Sequence, residues 1–132
     1  MSEHPNATLV RRAMQAMNET DMSNAQEEMA LVDAFMADDI VWHEVGRAEP
    51  RRGKDELRAA MMDGSRGTSI KYDLHDVTAN DDHAVALGTA TATRDGKTFT
   101  YRTAEIFHIR NGKATERWAF SDDTAAINAF FA

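Results

Sequence analysis

The sequence predicts an α+β domain in which helices come first and an antiparallel meander follows. Three observations carry this reading. Apolar residues recur at helical spacing up to about Met61. From Ile70 onward they alternate with polar ones, the period of a half-buried strand. Asp95-Gly96 and Asn111-Gly112 then sit between alternating segments as two-residue hairpin turns.

The elements follow in order. Leu9, Ala13 and Met17 lie one helical repeat apart, with Val10 and Met14 beside them and Asn6 as the expected N-cap. A break at Asn18 to Met22 precedes Ser23-x-x-Gln26, which has capping-box form. Ala25, Met29, Val32, Phe35 and Met36 form the second apolar stripe. A short strand is expected over Ile40–Val45. A third helix should follow Gly53, with Leu57, Ala60 and Met61 on one face and Gly64 or Gly67 at its end. Strands are expected near 70–78, 83–94, 97–110 and 113–121, with a looser turn at Ala79 to Asp82. Ser121 or Asp122 should cap a C-terminal helix carrying Ala126, Ile127, Phe130 and Phe131. With 132 residues and no repeat, linker or low-complexity tract, one domain over 1–132 is expected.

Composition narrows the function. A net charge of -7 argues against a nucleic-acid surface, because phosphate binding needs a basic stripe. Without cysteine, disulfides, thiolate metal sites and cysteine nucleophiles are excluded. No run approaches transmembrane length and the first residues lack signal-peptide form, so a cytoplasmic protein without membrane contact is expected. There is no phosphate loop, serine elbow or dinucleotide fingerprint, and no cofactor is expected. His43-Glu44 lacks the second histidine of a zinc helix, and His83 with His108 lacks a third ligand, so no metal is expected.

Two-residue loops set strand register by counting. Around Asp95-Gly96, Ala92 faces Phe99, Ala90 faces Tyr101, Gly88 faces Thr103, Ala86 faces Glu105 and Ala84 faces Phe107. Around Asn111-Gly112, counting places Phe107 against Glu116, Glu105 against Trp118, Thr103 against Phe120 and Tyr101 against Asp122, unless a bulge intervenes. One face then sets alanines and a glycine opposite aromatic rings and Glu105, leaving room for a pocket. The other face is Thr-rich with an apolar end, suited to solvent or to a second copy in a homodimer.

Glu44 is the conspicuous residue of the first strand, since an acid on an apolar strand needs a partner or a use. It faces inward as a catalytic group, or turns outward to pair with Arg47 or Arg51. Glu105 is either a second catalytic carboxylate or a structural acid bonded to Trp118 or a tyrosine. Two carboxylates in one apolar pocket can hold different protonation states, one acting as base and the other as acid. His43 should point to the opposite face from Glu44, reaching the cavity only through a twist; Trp42 should line it. Asp122 is a helix cap or an acid at the end of the last strand.

Phe35-x-Ala37-Asp38-Asp39, Glu49-Pro50-Arg51-x-Gly53 and Asn111-Gly112-Lys113…Glu116-x-Trp118-x-x-x-Asp122 resemble the NTF2-like superfamily in its SnoaL-like and ketosteroid-isomerase-like branch, over nearly the whole chain. The resemblance implies a cone of N-terminal helices on a curved antiparallel sheet enclosing a deep cavity. It also implies acid-base chemistry on a small apolar carbonyl or cyclic compound by an isomerase, cyclase or dehydratase. By that resemblance Glu44 falls at the family's proton-shuttling carboxylate and Glu105 at its oxyanion-binding acid. Asp122 stands near the acid that polyketide-cyclase and hydrolase relatives keep on the last strand. The family's oxyanion tyrosine would align near Ala13 or Met14 and is missing, with Tyr72 or Tyr101 as replacements. Trp42, Tyr72, Tyr101, Phe107, Trp118 and Phe120 would line the substrate site. An epoxide-hydrolase-like reading lacks an assembled Asp/Arg/Asp set, since Arg102 should point outward. A non-catalytic binding or dimerisation module remains the alternative; its sign would be a cavity filled by Trp42, Phe99, Phe107 and Trp118, or Glu44 and Glu105 tied to arginines.

Overall fold

Helix α1 (Pro5–Glu19) begins where Pro5 can sit without an amide hydrogen to waste. In a computed structural model describing residues 3–19, 30, 33–45, 47–64 and 68–131, the cap is His4. Its carbonyl accepts the Ala7 and Thr8 amides at 2.9 and 3.1 Å, and its Nδ1 accepts the Asn6 amide at 3.1 Å. Asn6, the expected cap, instead donates its side-chain amide to the carbonyls of Asn80 and Asp81, at 3.0 Å each. The helix start is thereby fastened to a turn of the sheet. Ala7, Val10 and Met14 form its buried face.

The expected second helical stripe lies largely outside the described residues. Phe35 ends a helical stretch, but Met36 belongs to the strand that follows. Strand β1 runs Met36–His43, earlier than Ile40–Val45, because its partner offers pairing already at Met36. Glu44 and Val45 therefore lie past the strand end. The two-residue β2 (Arg51–Arg52) pairs back on β1. Gly53, at φ 85°, turns the chain and donates to the Ile40 carbonyl at 2.7 Å before α2 (Lys54–Gly64), whose Leu57 is buried.

Strands β3 (Thr68–Ala79), β4 (His83–Arg94), β5 (Lys97–Arg110) and β6 (Lys113–Ser121) form the meander, and α3 (Thr124–Phe131) closes it. Asp95, Gly96, Asn111 and Gly112 all have positive φ, as tight hairpin turns require. The sheet order is β2-β1-β6-β5-β4-β3, antiparallel except where β1 runs parallel to β6, and the sheet is curved and unclosed. A bulge between Leu74 and Asp76 bends β3 over Gly88, where an added Cβ would stand 2.8 Å from the Asp73 carbonyl oxygen.

Two apolar clusters fill the concave side. The larger gathers α1, β1, Leu57 and the Ala84 end of β4 with Phe107. The smaller sets Ala90, Ala92 and Tyr101 against Ile127, with Phe99 and Phe130 alongside. Tyr72 packs against both. Among the described residues no helix is long and apolar enough to cross a membrane.

The β4–β5 register is the counted one, from Ala92 facing Phe99 to Ala84 facing Phe107. The β5–β6 register is not. Ile109 faces Ala114 as counted, but His108 then faces Glu116, so Thr115 is an extra residue and every later pair shifts by one. Phe107 faces Arg117, Glu105 faces Ala119 and Ala104 faces Phe120. The bulge turns Arg117 to the concave side and Trp118 with Phe120 to the convex side.

Candidate functional site

Period-two alternation along β5 buries Tyr101, Glu105 and Phe107 on the concave face, across from the alanines of β4. Glu105 is 4% exposed and Arg117, beside it on β6, 6%. Arg117 Nη2 donates to Glu105 Oε1, forming a buried ion pair. Its Nη1 donates to the His43 backbone carbonyl at 3.1 Å, and its guanidinium lies 4.1 Å above the centre of the Trp42 ring. Three groups from β1 and β5 thus hold this one cation. Glu105 Oε2 and Arg117 Nε are buried without a hydrogen-bond partner among the described residues. Unpaired atoms of this kind are rare in interiors and mark a site worth explaining.

Tyr72 and Tyr101 both stand opposite Ala90, on β3 and β5. Burial, followed by the nearby Glu105 charge, raises the pKa of each phenol, that of Tyr72 far beyond the usual tyrosine range. Both are held as neutral donors beside the Glu105 carboxylate and the Arg117 guanidinium. Tyr101 stacks on Phe99 and Phe99 on Phe130, at 5.6 and 5.4 Å between ring centres. Phe107 meets Phe35 edge to face at 5.5 Å and belongs to the packed core.

The remaining expected residues have other partners. Glu44, past the end of β1, is paired with Arg51 Nε at 2.7 Å, its side chain 36% exposed. This is the expected pairing with an arginine, and Arg51 itself stands opposite Trp42 across β1 and β2. Its charge still reaches Tyr72, as the weakest influence on that phenol. His43 stays on the convex face, bonded through Nε2 to Glu116 Oε2 at 2.7 Å and stacked on Trp118 at 5.1 Å. Trp118 also meets His108 at 4.7 Å, so it cannot bond Glu105. Phe120 is 55% exposed on the same convex face. Both rings left the expected lining because of the bulge at Thr115. Asp122 neither enters the concave site nor caps α3: its Oδ1 accepts the Arg102 amide at 3.1 Å, while Asp123 Oδ1 accepts the Ala126 amide at 3.0 Å as the cap.

Arg117 was absent from the expected site. Strict alternation from Ala114 places it on the outer face, and only the bulge brings it in. No three histidine, aspartate or glutamate side chains are grouped to hold a metal among the described residues. A separate polar cleft of about 360 Å³, lined by Asn6, Asp81 to His83 and His108 to Gly112, contains none of the expected site residues.

Residues 10–117 match the family model of the SnoaL-like domain. No curated protein sequence matches the chain. Among solved structures, an NTF2-like protein of unknown function from Burkholderia pseudomallei superposes with a TM-score of 0.80 at 21% identity, covering 100% of this chain and 99% of that one. A candidate polyketide cyclase from Pseudomonas putida gives 0.73 at 19%, covering 89% and 91%. An epoxide hydrolase from Mycobacterium tuberculosis gives 0.73 at 18%, covering 94% and 90%. At these identities the likeness establishes the fold.

Proposed function

The chain belongs to the SnoaL-like domain family, and from that premise we propose that it is a cofactor-independent acid-base enzyme acting on a small apolar carbonyl or cyclic compound. The observation that carries this reading is Glu105 Oε2, a buried carboxylate oxygen with no partner among the described residues. Glu105 serves as the base, removing a proton from the carbon next to the substrate carbonyl. The pair of electrons moves onto the carbonyl oxygen, where Tyr101 and Tyr72, kept protonated by burial, donate to the developing oxyanion. Glu105 then returns the proton to another atom, which accounts for isomerisation, dehydration or aldol-type closure. Arg117 is a positioning residue: it fixes Oε1, and Trp42 with the His43 carbonyl fixes Arg117. Glu44, paired with Arg51, adds its field at Tyr72. This reading puts the substrate against Glu105 on the concave face, where β5 pairs Glu105 with Ala86 of β4.

The test follows deuterium uptake from D2O into cyclic ketones by NMR, with wild type and Glu105→Gln. Acceleration that the variant loses supports the reading. Equal uptake by both proteins contradicts it.

A second reading has its own observation. Glu44 and Glu105 each meet an arginine, the arrangement expected of a binding module. That reading predicts tight ligand binding with no deuterium uptake in any variant. The convex face carries Trp118 with Phe120 and Leu87 exposed at 55% and 43%, and we take it as the surface for a second copy of the chain. Light scattering on wild type and Phe120→Asp tests this: a dimer that the variant dissociates is expected, and a monomeric wild type contradicts it.

A further inference from the structure

We infer that the concave site takes a neutral ligand presenting a hydrogen-bond donor and a carbonyl acceptor on one edge, as a carboxamide or an α-hydroxy ketone does. The inference deepens the reading of Glu105 as the centre of the site. It starts from two atoms. Glu105 Oε2 can only accept when the acid is ionised, and Arg117 Nε can only donate. Both are buried, and neither has a partner among the described residues. Because Nη2 of the same guanidinium already binds Oε1 of the same carboxylate, covalent geometry keeps the two unpaired atoms within the span of one small functional group.

A buried acceptor and a buried donor within one ion pair specify their complement. A ligand N–H or O–H satisfies Oε2 while the adjacent C=O satisfies Nε. A group carrying the acceptor alone leaves the carboxylate oxygen unmet, and such mismatches in a desolvated site are strongly disfavoured. The charge of the ligand follows from the same inventory. Glu105 and Arg117 balance each other, and Tyr72 and Tyr101 are held neutral by burial. An anionic ligand would add a charge to a region whose described cations, Arg117 and Arg51, are already paired with Glu105 and Glu44, whereas a neutral one adds none.

Glu105→Gln gives the inference its sharpest consequence. The glutamine carbonyl keeps the Arg117 bond, so its NH2 group stands where Oε2 accepted. The site then offers two donors and should prefer a plain ketone, whose single oxygen can accept from both. The experiment is calorimetric titration of wild type, Glu105→Gln and Arg117→Lys with cyclohexanecarboxamide, cyclohexyl methyl ketone and cyclohexanecarboxylate at pH 7. Wild type should bind the carboxamide at least about tenfold tighter than the other two. Glu105→Gln should reverse the order of amide and ketone. Arg117→Lys, which keeps the charge but loses Nε, should bring amide and ketone within about threefold. Circular dichroism checks that each variant is folded. Equal affinities, preference for the carboxylate, or no binding by wild type overturn the inference. The two proposals separate cleanly. Loss of deuterium uptake in Glu105→Gln with flat ligand preference refutes the ligand class alone, and the expected preference without uptake refutes the enzyme reading alone.

Discussion

Arg117 donates one hydrogen bond to Glu105 and leaves the carboxylate's second oxygen without a partner among the described residues, although both side chains are more than nine-tenths buried. An extra residue in β6, Thr115, puts them together. The pair is desolvated, so its members depend on each other more than an exposed salt bridge would.

Removing one partner should therefore be far worse than removing both. Arg117→Met alone should lower stability by about 3–5 kcal/mol, because Glu105 is left buried and uncompensated. The double change Glu105→Leu with Arg117→Met should recover most of that loss. Urea unfolding of the single and double variants checks this, and additive losses would contradict it.

Ultraviolet titration reads the tyrosines directly, because Tyr72 and Tyr101 are the chain's two. Both phenols have pKa values raised by burial, so the absorbance step near 295 nm should come above the usual tyrosine pH of about 10. The sign for stability follows. Above about pH 10 the unfolded chain loses phenolic protons that the folded chain keeps, so this contribution is complete below that pH and is lost as pH rises toward the folded-state values. A step at pH 10 with the fold intact would contradict the burial.

Asp123, and not Asp122, should govern the C-terminal helix. Asp123→Ala removes the acceptor for the Ala126 amide and should cost about 1 kcal/mol. Faster amide exchange should be confined to α3 and the Tyr101 region that Ile127 covers. Asp122→Ala should affect the Arg102 amide and leave α3 intact.

Gly88→Ala should destabilise, although alanine is normally the better strand residue. Its Cβ would meet the Asp73 carbonyl oxygen at 2.8 Å, and that oxygen belongs to backbone fixed by the β3 bulge. A loss of about 1–3 kcal/mol by thermal unfolding is expected.

The meander was legible because its determinants are local. Asp95-Gly96 and Asn111-Gly112 announce their own turn geometry, and alternation does the rest until an extra residue intervenes. The bulge at Thr115 has no comparable mark. Glu116, Trp118 and Phe120 suit an inner face as well as Arg117 and Ala119 do, and strict counting chooses wrongly. The same slip exchanged Trp118 and Phe120 for Arg117 in the site. The partner of Glu44 was legible only as one of two arginines. Its strand ends at His43, and Arg51 from the short β2, opposite Trp42, lies near enough to pair with it. The caps His4 and Asp123 each sit one or two residues from their expected neighbours, the ordinary uncertainty of helix ends.

The measurement that bears most directly on Glu105 as the working carboxylate compares deuterium uptake by Glu105→Gln and Glu44→Gln on one α-hydroxy ketone, 2-hydroxycyclohexanone. Loss of a positioned general base lowers a rate by about 10²–10⁴, so Glu105→Gln should fall by that factor while Glu44→Gln falls by less than about tenfold. The reverse order, with Glu44→Gln inactive and Glu105→Gln active, would contradict it.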